Sequence, residues 1–506
     1  MSIKNLFLTR IVFAIFFYAF AADVHAAAIL YAGSAKIEIS DRSGPVNDPA
    51  YAKALVLKQG SKLLVLVTLD AVALAEIGRI PNSFMSDVRK KLKDELNIDP
   101  RNIVITASHS HSIVRNDVAD LTVKVVKNAF AKFTAVRIGS GATQESRISE
   151  NRRIKLKDGS ETDVRMAYSL PADDQIVAVG NIDPNVGVLR IDTLGGAPFA
   201  VLYNFAAHPI LGIPSGANTA DYPGFASQII EDSLGEGVIA YFLQGAAGDI
   251  NPRKYKDIHQ PRDAEPMGGR LAADVLRVWK QIEVKRGAGL QVTRELLNLP
   301  LAEDLKSRIE KNEKQQAELL SSINGSSLDF RSFIELYMQR LANSQYPSAS
   351  KYRYLQENSL GISDLTNLDL EKSRNMEAYM DNIYIMEQLT RLKTNIDLLK
   401  KHEINIAKSK QNSIEVEVIG VRIGDVRMVT FPGEISVDIG LGIKERAGGK
   451  DVYVVGYTNG YIYYTPTAVQ KQNTGFAQED CESLVAPEWQ EKFETAASKV
   501  LEHLLQ

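Results

Sequence analysis

The sequence predicts an α/β protein, with a mixed or parallel sheet core flanked by helices and a helical insertion. Short runs of apolar and β-branched residues recur along the chain, and amphipathic stretches of helical length separate them. Continuous apolar runs are typical of strands that are buried on both faces. The predicted strands include residues 63–68, 103–107, 199–205, 238–243, 416–422, 426–431 and 451–455, and the helices include 82–96, 223–234, 265–282 and 487–505.

The first 26 residues have the layout of a secretory signal peptide. Lys4 and Arg10 precede the apolar run IVFAIFFYAFAA, and small residues follow near Ala26. The alternative is an uncleaved membrane anchor, but the run is short for one. We therefore expect a periplasmic or secreted protein. Its single cysteine, Cys481, provides no internal disulfide, so the fold must depend on core packing.

Charge and composition exclude several function classes. The chain has 59 basic and 62 acidic side chains, for a net charge of −3, and shows no basic stripe with interleaved aromatic residues. This argues against a nucleic-acid partner. The sequence also lacks a G-x-S-x-G nucleophile motif, a phosphate-binding loop motif and an H-E-x-x-H helix. No protein partner is predicted.

Residues 301–412 differ from the rest of the chain. They are rich in Lys, Glu, Gln and Leu, and their apolar positions follow helical spacing. We interpret them as a helical insertion that divides an α/β metal-hydrolase core into residues 27–300 and 413–506, the second part ending in a helix. The insertion either covers the active site or forms a helical hairpin packed far from it.

Polar residues follow the ends of successive predicted strands. In open α/β sheets, ligands bind beyond the carboxyl ends of the strands, so these residues are expected to converge on one crevice. They are Asp70, residues 108–112 (SHSHS), His208, residues 245–249 (GAAGD), Glu434 and residues 459–464 (NGYIYY).

Three histidines at these strand ends predict a metal site. His109 and His111 form an H-x-H pair, and on an extended chain side chains two apart point to the same side. With His208 from another strand, they would give the three-histidine set of an open catalytic zinc site. Imidazole suits zinc, although iron, nickel or copper are also compatible. The alternative is that the pair only makes hydrogen bonds in a polar loop.

Several short motifs in order resemble the catalytic domain of the neutral (non-lysosomal) ceramidases. They are ITASHSHS, ENRR (residues 150–153), NFAAHP, ADYPGFAS, LQGAAGDINP, FPGE and GYTNGYIYY, and they extend from about Gly33 to Glu488. The resemblance implies a zinc amidase that cleaves the N-acyl bond of ceramide to give sphingosine and a fatty acid.

The resemblance also implies roles for individual residues. The zinc (Zn²⁺) ligands would be His109, His111, His208, Glu434 and Tyr464, the last preferred over Tyr461 and Tyr463 because it best matches the family's position. Arg152 resembles the family's substrate-contacting arginine, and the alternative is a surface ion pair.

Three departures from the family pattern concern the substrate. Gly245 stands where the family has its proposed catalytic serine, and Phe476 replaces a tyrosine. We also expect no counterpart of the family's C-terminal immunoglobulin-like domain after Leu484. The pattern therefore retains the metal ligands and lacks part of the ceramide-specific apparatus.

The residues predict a hydrolase that acts through metal-activated water, and the resemblance implies that it is a zinc-dependent amidohydrolase. Arg152 would stabilise an oxyanion, and the backbone at Gly245 would approach the substrate. Asp70, Asp221 and Asp249 are candidates for histidine orientation or proton transfer; the alternative is helix capping or turn formation, which we favour for Asp249. The expected substrate is a lipid or a small molecule. A lipid substrate is compatible with peripheral contact between the protein and a membrane. Two alternatives remain: a zinc hydrolase for a sugar- or envelope-derived amide or ester, and a noncatalytic binding protein.

Overall fold

The computed structural model describes residues 29–164, 170–255, 257, 259–287, 289–409, 411–449, 451–473 and 477–505. The predicted signal peptide, residues 1–26, and Phe476 lie outside the described residues. Within the described residues, no helix combines the length and the apolar character that crossing a membrane requires.

The described residues form nineteen strands and ten helices. The strands are β1 (Leu30–Glu38), β2 (Tyr51–Gln59), β3 (Lys62–Leu69), β4 (Ile103–Ala107), β5 (Thr134–Gln144), β6 (Ser149–Asn151), β7 (Arg153–Leu156), β8 (Glu161–Asp163), β9 (Ile176–Val179), β10 (Asn185–Thr193), β11 (Pro198–Phe205), β12 (Ile239–Gln244), β13 (Ile250–Pro252), β14 (Leu290–Pro300), β15 (Ser413–Ile423), β16 (Val426–Thr430), β17 (Glu434–Ile435), β18 (Val452–Val455) and β19 (Tyr464–Thr465). The helices are α1 (Phe84–Leu96), α2 (Val118–Phe130), α3 (Asp221–Leu234), α4 (Glu265–Trp279), α5 (Leu305–Ser321), α6 (Phe330–Ala342), α7 (Lys351–Leu360), α8 (Asp364–Ser409), α9 (Val437–Arg446) and α10 (Trp489–His503).

Two large sheets carry the fold, and both are mixed. The first has the strand order β12-β11-β10-β5-β1-β2-β3-β4, and the second has the order β14-β15-β16-β18. The pairs β3–β4, β11–β12 and β16–β18 are parallel, whereas the remaining pairs in these sheets are antiparallel. The predicted α/β class is confirmed in its mixed form, and the purely parallel alternative is wrong.

The two sheets pack face to face, with helices on their outer faces. Leu64 and Leu66 of β3 share a core with Ile419 and Val421 of β15. Their neighbours on β3, such as Val65, point the other way and pack with α1 and α2. Both faces of the strand are therefore apolar, which explains the continuous hydrophobic run in the sequence. Helices α3 and α4 cover β10–β12, and α9 and α10 cover the second sheet.

The chain that follows β18 connects the two edge strands of the first sheet. The backbone N–H of Gly456 donates to the carbonyl of Gln244 in β12, at 3.1 Å, and that of Asn459 donates to Ile105 in β4, at 2.8 Å. The N–H of Ala107 in turn donates to the carbonyl of Tyr457. Because this segment bonds to both edges, the carboxyl ends of β4, β12 and β18 lie together.

Helices α5 to α8 occupy most of the predicted insertion, and their base contacts the rest of the protein. Ile309 of α5 and Leu399 of α8 share a small buried cluster with Cys481. Near the end of α8, the ring of His402 lies 4.6 Å from that of Tyr463, edge to face. The base of the helical segment therefore contacts the chain that carries Tyr464. The division of the chain into a core and an insertion stays a prediction.

Asn459 should be critical for holding β4 in place. Its amide oxygen accepts from the Ile105 N–H, its amide nitrogen donates to Ile103 and Glu417, and its φ of 56° is left-handed. We expect Asn459→Ala to lower the free energy of unfolding by about 2–4 kcal/mol. Asn459→Gly loses the same hydrogen bonds, but glycine adopts the left-handed conformation without strain. Its loss of unfolding free energy should therefore be about 1 kcal/mol smaller than that of Asn459→Ala. Urea unfolding measures both, and equal losses would contradict the strain argument.

Candidate metal centre

Three side chains from distant parts of the chain meet in a buried cluster. His109 lies in the loop after β4, His208 in the loop after β11, and Glu434 begins β17. Their ligand-type atoms all lie within 4.8 Å of one another, and each residue is at most 3% exposed. The structure thus brings these three predicted metal ligands together, just beyond the carboxyl ends of β4, β11 and β16.

Backbone carbonyls fix the orientation of both imidazoles. The Nδ1 of His109 lies 2.7 Å from the carbonyl oxygen of Val72, and the Nδ1 of His208 lies 2.9 Å from that of Ile250. Since a carbonyl only accepts, each Nδ1 carries the proton and donates it. The Nε2 atoms then face Oε2 of Glu434, at 3.5 Å for His109 and 3.0 Å for His208. In a neutral imidazole of this tautomer, Nε2 presents a lone pair.

The protonation states of these three side chains favour a cation between them. Burial lowers the pKa of His109 to about 4 and, together with the charge of Arg152, lowers that of His208. The pKa of Glu434 lies below its ordinary value because His109, His208 and Tyr461 outweigh the effect of burial. Near pH 7, two lone pairs therefore face an anionic oxygen. A cation held by all three would remove this repulsion, and nitrogen and oxygen donors of this kind suit zinc.

Two tyrosines bind the carboxylate of Glu434, and a third pairs with this residue through the backbone. The hydroxyl of Tyr461 donates to Oε1, at 2.5 Å, and that of Tyr457 donates to Oε2, at 3.1 Å. Tyr464 pairs with Glu434 across β17 and β19, and its hydroxyl lies 3.3 Å from Nε2 of His208. The hydroxyl of Tyr464 thus lies next to the unprotonated nitrogen of His208, which is the atom that would bind a metal. Its role as a ligand stays a prediction.

His111 lies next to this cluster but on its exposed side. Its ring centroid is 5.4 Å from that of His109, and its side chain is exposed. The assumption of an extended chain through the H-x-H pair is wrong, because His109 has a left-handed φ of 66°. The argument from an extended chain therefore does not apply to this pair, and the assignment of His111 as a ligand stays a prediction.

Arg152 is completely buried, so the alternative of a surface ion pair is wrong. Its Nε donates to Glu479 at 2.5 Å, and its terminal nitrogens donate to Asn251 and to the carbonyl of Gly248. The guanidinium lies 5.4 Å from the ring centroid of Tyr464. Glu479 and Tyr464 raise its pKa despite burial, so it remains a cation beside the predicted ligand. Its role towards an oxyanion stays a prediction.

The predicted acidic residues bind backbone groups, which matches the capping alternative. Asp70 accepts from the N–H of Tyr51, and burial raises its pKa. Asp221 accepts from the N–H groups of Gly212 and Tyr222, at 2.6 and 2.7 Å, and burial raises its pKa to about 7. Asp249 accepts from the N–H of Val437 at the start of α9. The imidazole Nδ1 atoms are instead held by carbonyls.

Sequence reasoning missed the residues that hold the ligands in place. Tyr457 stacks on the ring of His109 with centroids 4.3 Å apart, in addition to its bond to Glu434. Left-handed backbone conformations occur at His109, Tyr457 and Tyr463 together, and such strain clusters at functional sites. The motif GYTNGYIYY contained these tyrosines, but only the fold reveals which of them contact Glu434.

No protein-family model matches the chain, and no curated protein matches it. Solved structures do match it, and two of them are ceramidases. One is the crystal structure of neutral ceramidase from Pseudomonas aeruginosa, with a TM-score of 0.58 at 16% identity, covering 94% of this chain and 74% of that one. The other is a ceramidase complexed with C2, also with a TM-score of 0.58 at 16% identity, covering 94% and 75%. The chain has the fold of neutral ceramidase.

At Gly245, this version of the ceramidase fold leaves no room for a side chain. A Cβ atom there would lie 2.8 Å from Cβ and 3.0 Å from Cα of Ala206. The N–H of Gly245 also donates to the carbonyl of Phe205, at 2.8 Å, which holds the two loops together. The serine that the family resemblance implies at this position would therefore require the backbone to move.

Gly245→Ser should be destabilising for this reason. Overpacking of a closed core typically costs about 1–3 kcal/mol, and we expect a loss of that size in the free energy of unfolding. Gly269→Ser in α4 is the matched control, because the nearest atom to a Cβ there is 3.8 Å away. Urea unfolding of both variants makes the comparison, and a neutral Gly245→Ser would show that the loop adapts.

The buried imidazole of His109 should make the metal-free protein sensitive to acid. The unfolded chain protonates this residue near its ordinary pKa of 6.5, whereas the folded protein does so only near pH 4. The folded state therefore loses stability as the pH falls from about 6.5 towards 4. When the pH is lowered from 7 to 4, the free energy of unfolding of His109→Gln should fall by about 2–3 kcal/mol less than that of wild type. Exposed His503→Gln is the control, and parallel curves for all three proteins would contradict the assignment.

Proposed function

We propose that this protein is an exported, zinc-dependent hydrolase of the neutral ceramidase type. It would cleave the N-acyl amide bond of ceramide or a related N-acyl lipid. One observation carries the proposal: two imidazoles, each held by a backbone carbonyl, direct their unprotonated Nε2 atoms at one carboxylate oxygen. In metal sites, ligating histidines donate their other ring N–H in this way.

His109, His208 and Glu434 would hold the metal, with Tyr464 and His111 as additional ligands. When bound, zinc supplies Lewis-acid chemistry and activates water near neutral pH. The hydroxyls of Tyr457 and Tyr461 keep the carboxylate of Glu434 in place. Arg152 places a buried positive charge beside Tyr464, which favours negative charge on that side of the site.

The ceramidase fold favours an N-acyl lipid as the substrate, and His111 marks the exposed side of the cluster from which it would enter. The leader-like residues 1–26 support export to the periplasm or the medium. The proposed partner is therefore a lipid or small molecule, reached through peripheral membrane contact where the lipid lies in a bilayer.

A second candidate is a zinc hydrolase for a different amide or ester, derived from a sugar or the cell envelope. The packing at Gly245 favours it, because the loop that would carry the family's serine is closed against Ala206. An enzyme without that serine has lost one substrate-specific group while keeping the metal-binding side chains.

Metal removal and restoration test the proposal. The mature protein is treated with a chelator, and hydrolysis of a fluorescent N-acylsphingosine and of a panel of sugar amides and esters is measured before and after zinc is added. We expect activity only with zinc, and a loss of at least about a hundredfold in Glu434→Gln, since metal catalysis contributes several kcal/mol. Exposed Glu445→Gln is the matched control.

Each outcome decides between the candidates. Zinc-dependent release of fatty acid supports the ceramidase type, and zinc-dependent cleavage of another substrate supports the second candidate. Zinc binding without turnover of any compound would contradict a hydrolase and indicate a binding protein. Full activity after metal removal would contradict metal dependence.

A further inference from the structure

A cavity of about 470 Å³ beside the His208 loop is strongly basic. Its charged lining comprises five cations and a single anion: Arg147, Arg253, Lys254, Arg262, Arg270 and Asp263. The excess of four positive charges is unusual for a protein whose overall net charge is −3. Such an excess in one concave site raises the local concentration of anions.

Most of these cations are not neutralised within the described residues. Arg147 pairs with Glu145 and lies 3.9 Å from Asp274. In contrast, Arg253, Lys254 and Arg270 form no ion pair within 4.0 Å of a described carboxylate, and their side chains are exposed at the cavity. Burial raises the pKa of Glu150, and the nearby charge of Arg253 opposes part of that shift. The carboxylate of Asp263 accepts a hydrogen bond from the N–H of Glu265 at the start of α4, so one of its oxygens binds the backbone.

The floor of the cavity is apolar. Ile148, Leu211 and Met267 line it and are each at most 9% exposed. The cavity therefore combines an apolar base with a cationic rim. This combination suits an amphiphilic molecule whose apolar part rests on the floor and whose anionic group meets the arginines.

The chain connects the cavity closely to the candidate metal centre. Leu211 follows His208 by three residues, and Arg253 follows Ile250 by three. The carbonyl of Ile250 accepts both the backbone N–H and the Nδ1–H of His208. Three residues span at most about 11 Å, so Leu211 lies within that distance of His208, and Arg253 lies within it of Ile250, which orients the imidazole.

We propose that this cavity binds an oxyanion of the phosphate or sulfate type. Guanidinium groups match such oxyanions with paired N–H donors, and a doubly charged anion balances several cations better than a carboxylate does. The ligand is either a free anion or the anionic headgroup of a lipid. Its identification with part of the substrate rests on the proposed hydrolase function, whereas anion binding itself does not.

Calorimetric titration with inorganic phosphate at constant ionic strength tests the site. Wild type is compared with Arg253→Gln/Arg270→Gln and with the control Arg331→Gln/Arg374→Gln, which removes two exposed arginines from the helical segment. Saturable binding to wild type and the control, weakened at least tenfold in the first variant, is expected. A second arm measures binding to phosphatidylglycerol vesicles against phosphatidylcholine vesicles.

Phosphate binding that depends on Arg253 and Arg270 supports a free-anion site. Vesicle binding with the same dependence, without phosphate binding, supports a lipid headgroup. No binding of either, or equal binding in both double variants, overturns the proposal. Zinc content is measured on the same samples: zinc retained without anion binding overturns only this site, and anion binding without zinc overturns only the metal centre.

Discussion

The candidate metal centre depends on the approach of two imidazole nitrogens to one carboxylate oxygen. His208 and His109 present Nε2 atoms at 3.0 and 3.5 Å from Oε2 of Glu434, in a region closed to solvent. The carbonyls of Val72 and Ile250 fix the tautomer that turns lone pairs towards that oxygen. Without a cation, this arrangement is repulsive near neutral pH. The arrangement is therefore compatible with a bound metal ion.

The rest of the fold maintains this approach. The chain after β18 bonds to both edge strands of the first sheet, which brings the His109 loop towards the loops that follow β11 and β12. Close backbone packing then sets the position of Glu434: a Cβ on Gly248 would lie 2.6 Å from its carbonyl oxygen. Left-handed conformations at His109 and Tyr457 add strain that the surrounding packing must offset.

The sequence predicted the parts of this site that follow from strand ends, and missed those that follow from tertiary contact. His109, His208 and Glu434 each come after a buried apolar run, and the observed cluster contains all three. The H-x-H argument assumed an extended chain, which the backbone at His109 does not have. The bonds of Tyr457 and Tyr461 to Glu434 and the closed packing at Gly245 arise between segments far apart in sequence, and no local pattern reveals them.

Titration of the metal-free protein with zinc, recorded by isothermal titration calorimetry, tests the central claim most directly. We expect about one zinc ion per chain, with binding abolished in His208→Ala and retained in His402→Ala, whose histidine lies in α8 outside the cluster. Binding should weaken as the pH falls towards about 4, because protons then compete for the imidazole of His109. Absence of zinc binding to wild type, or undiminished binding in His208→Ala, would contradict a metal centre at His109, His208 and Glu434.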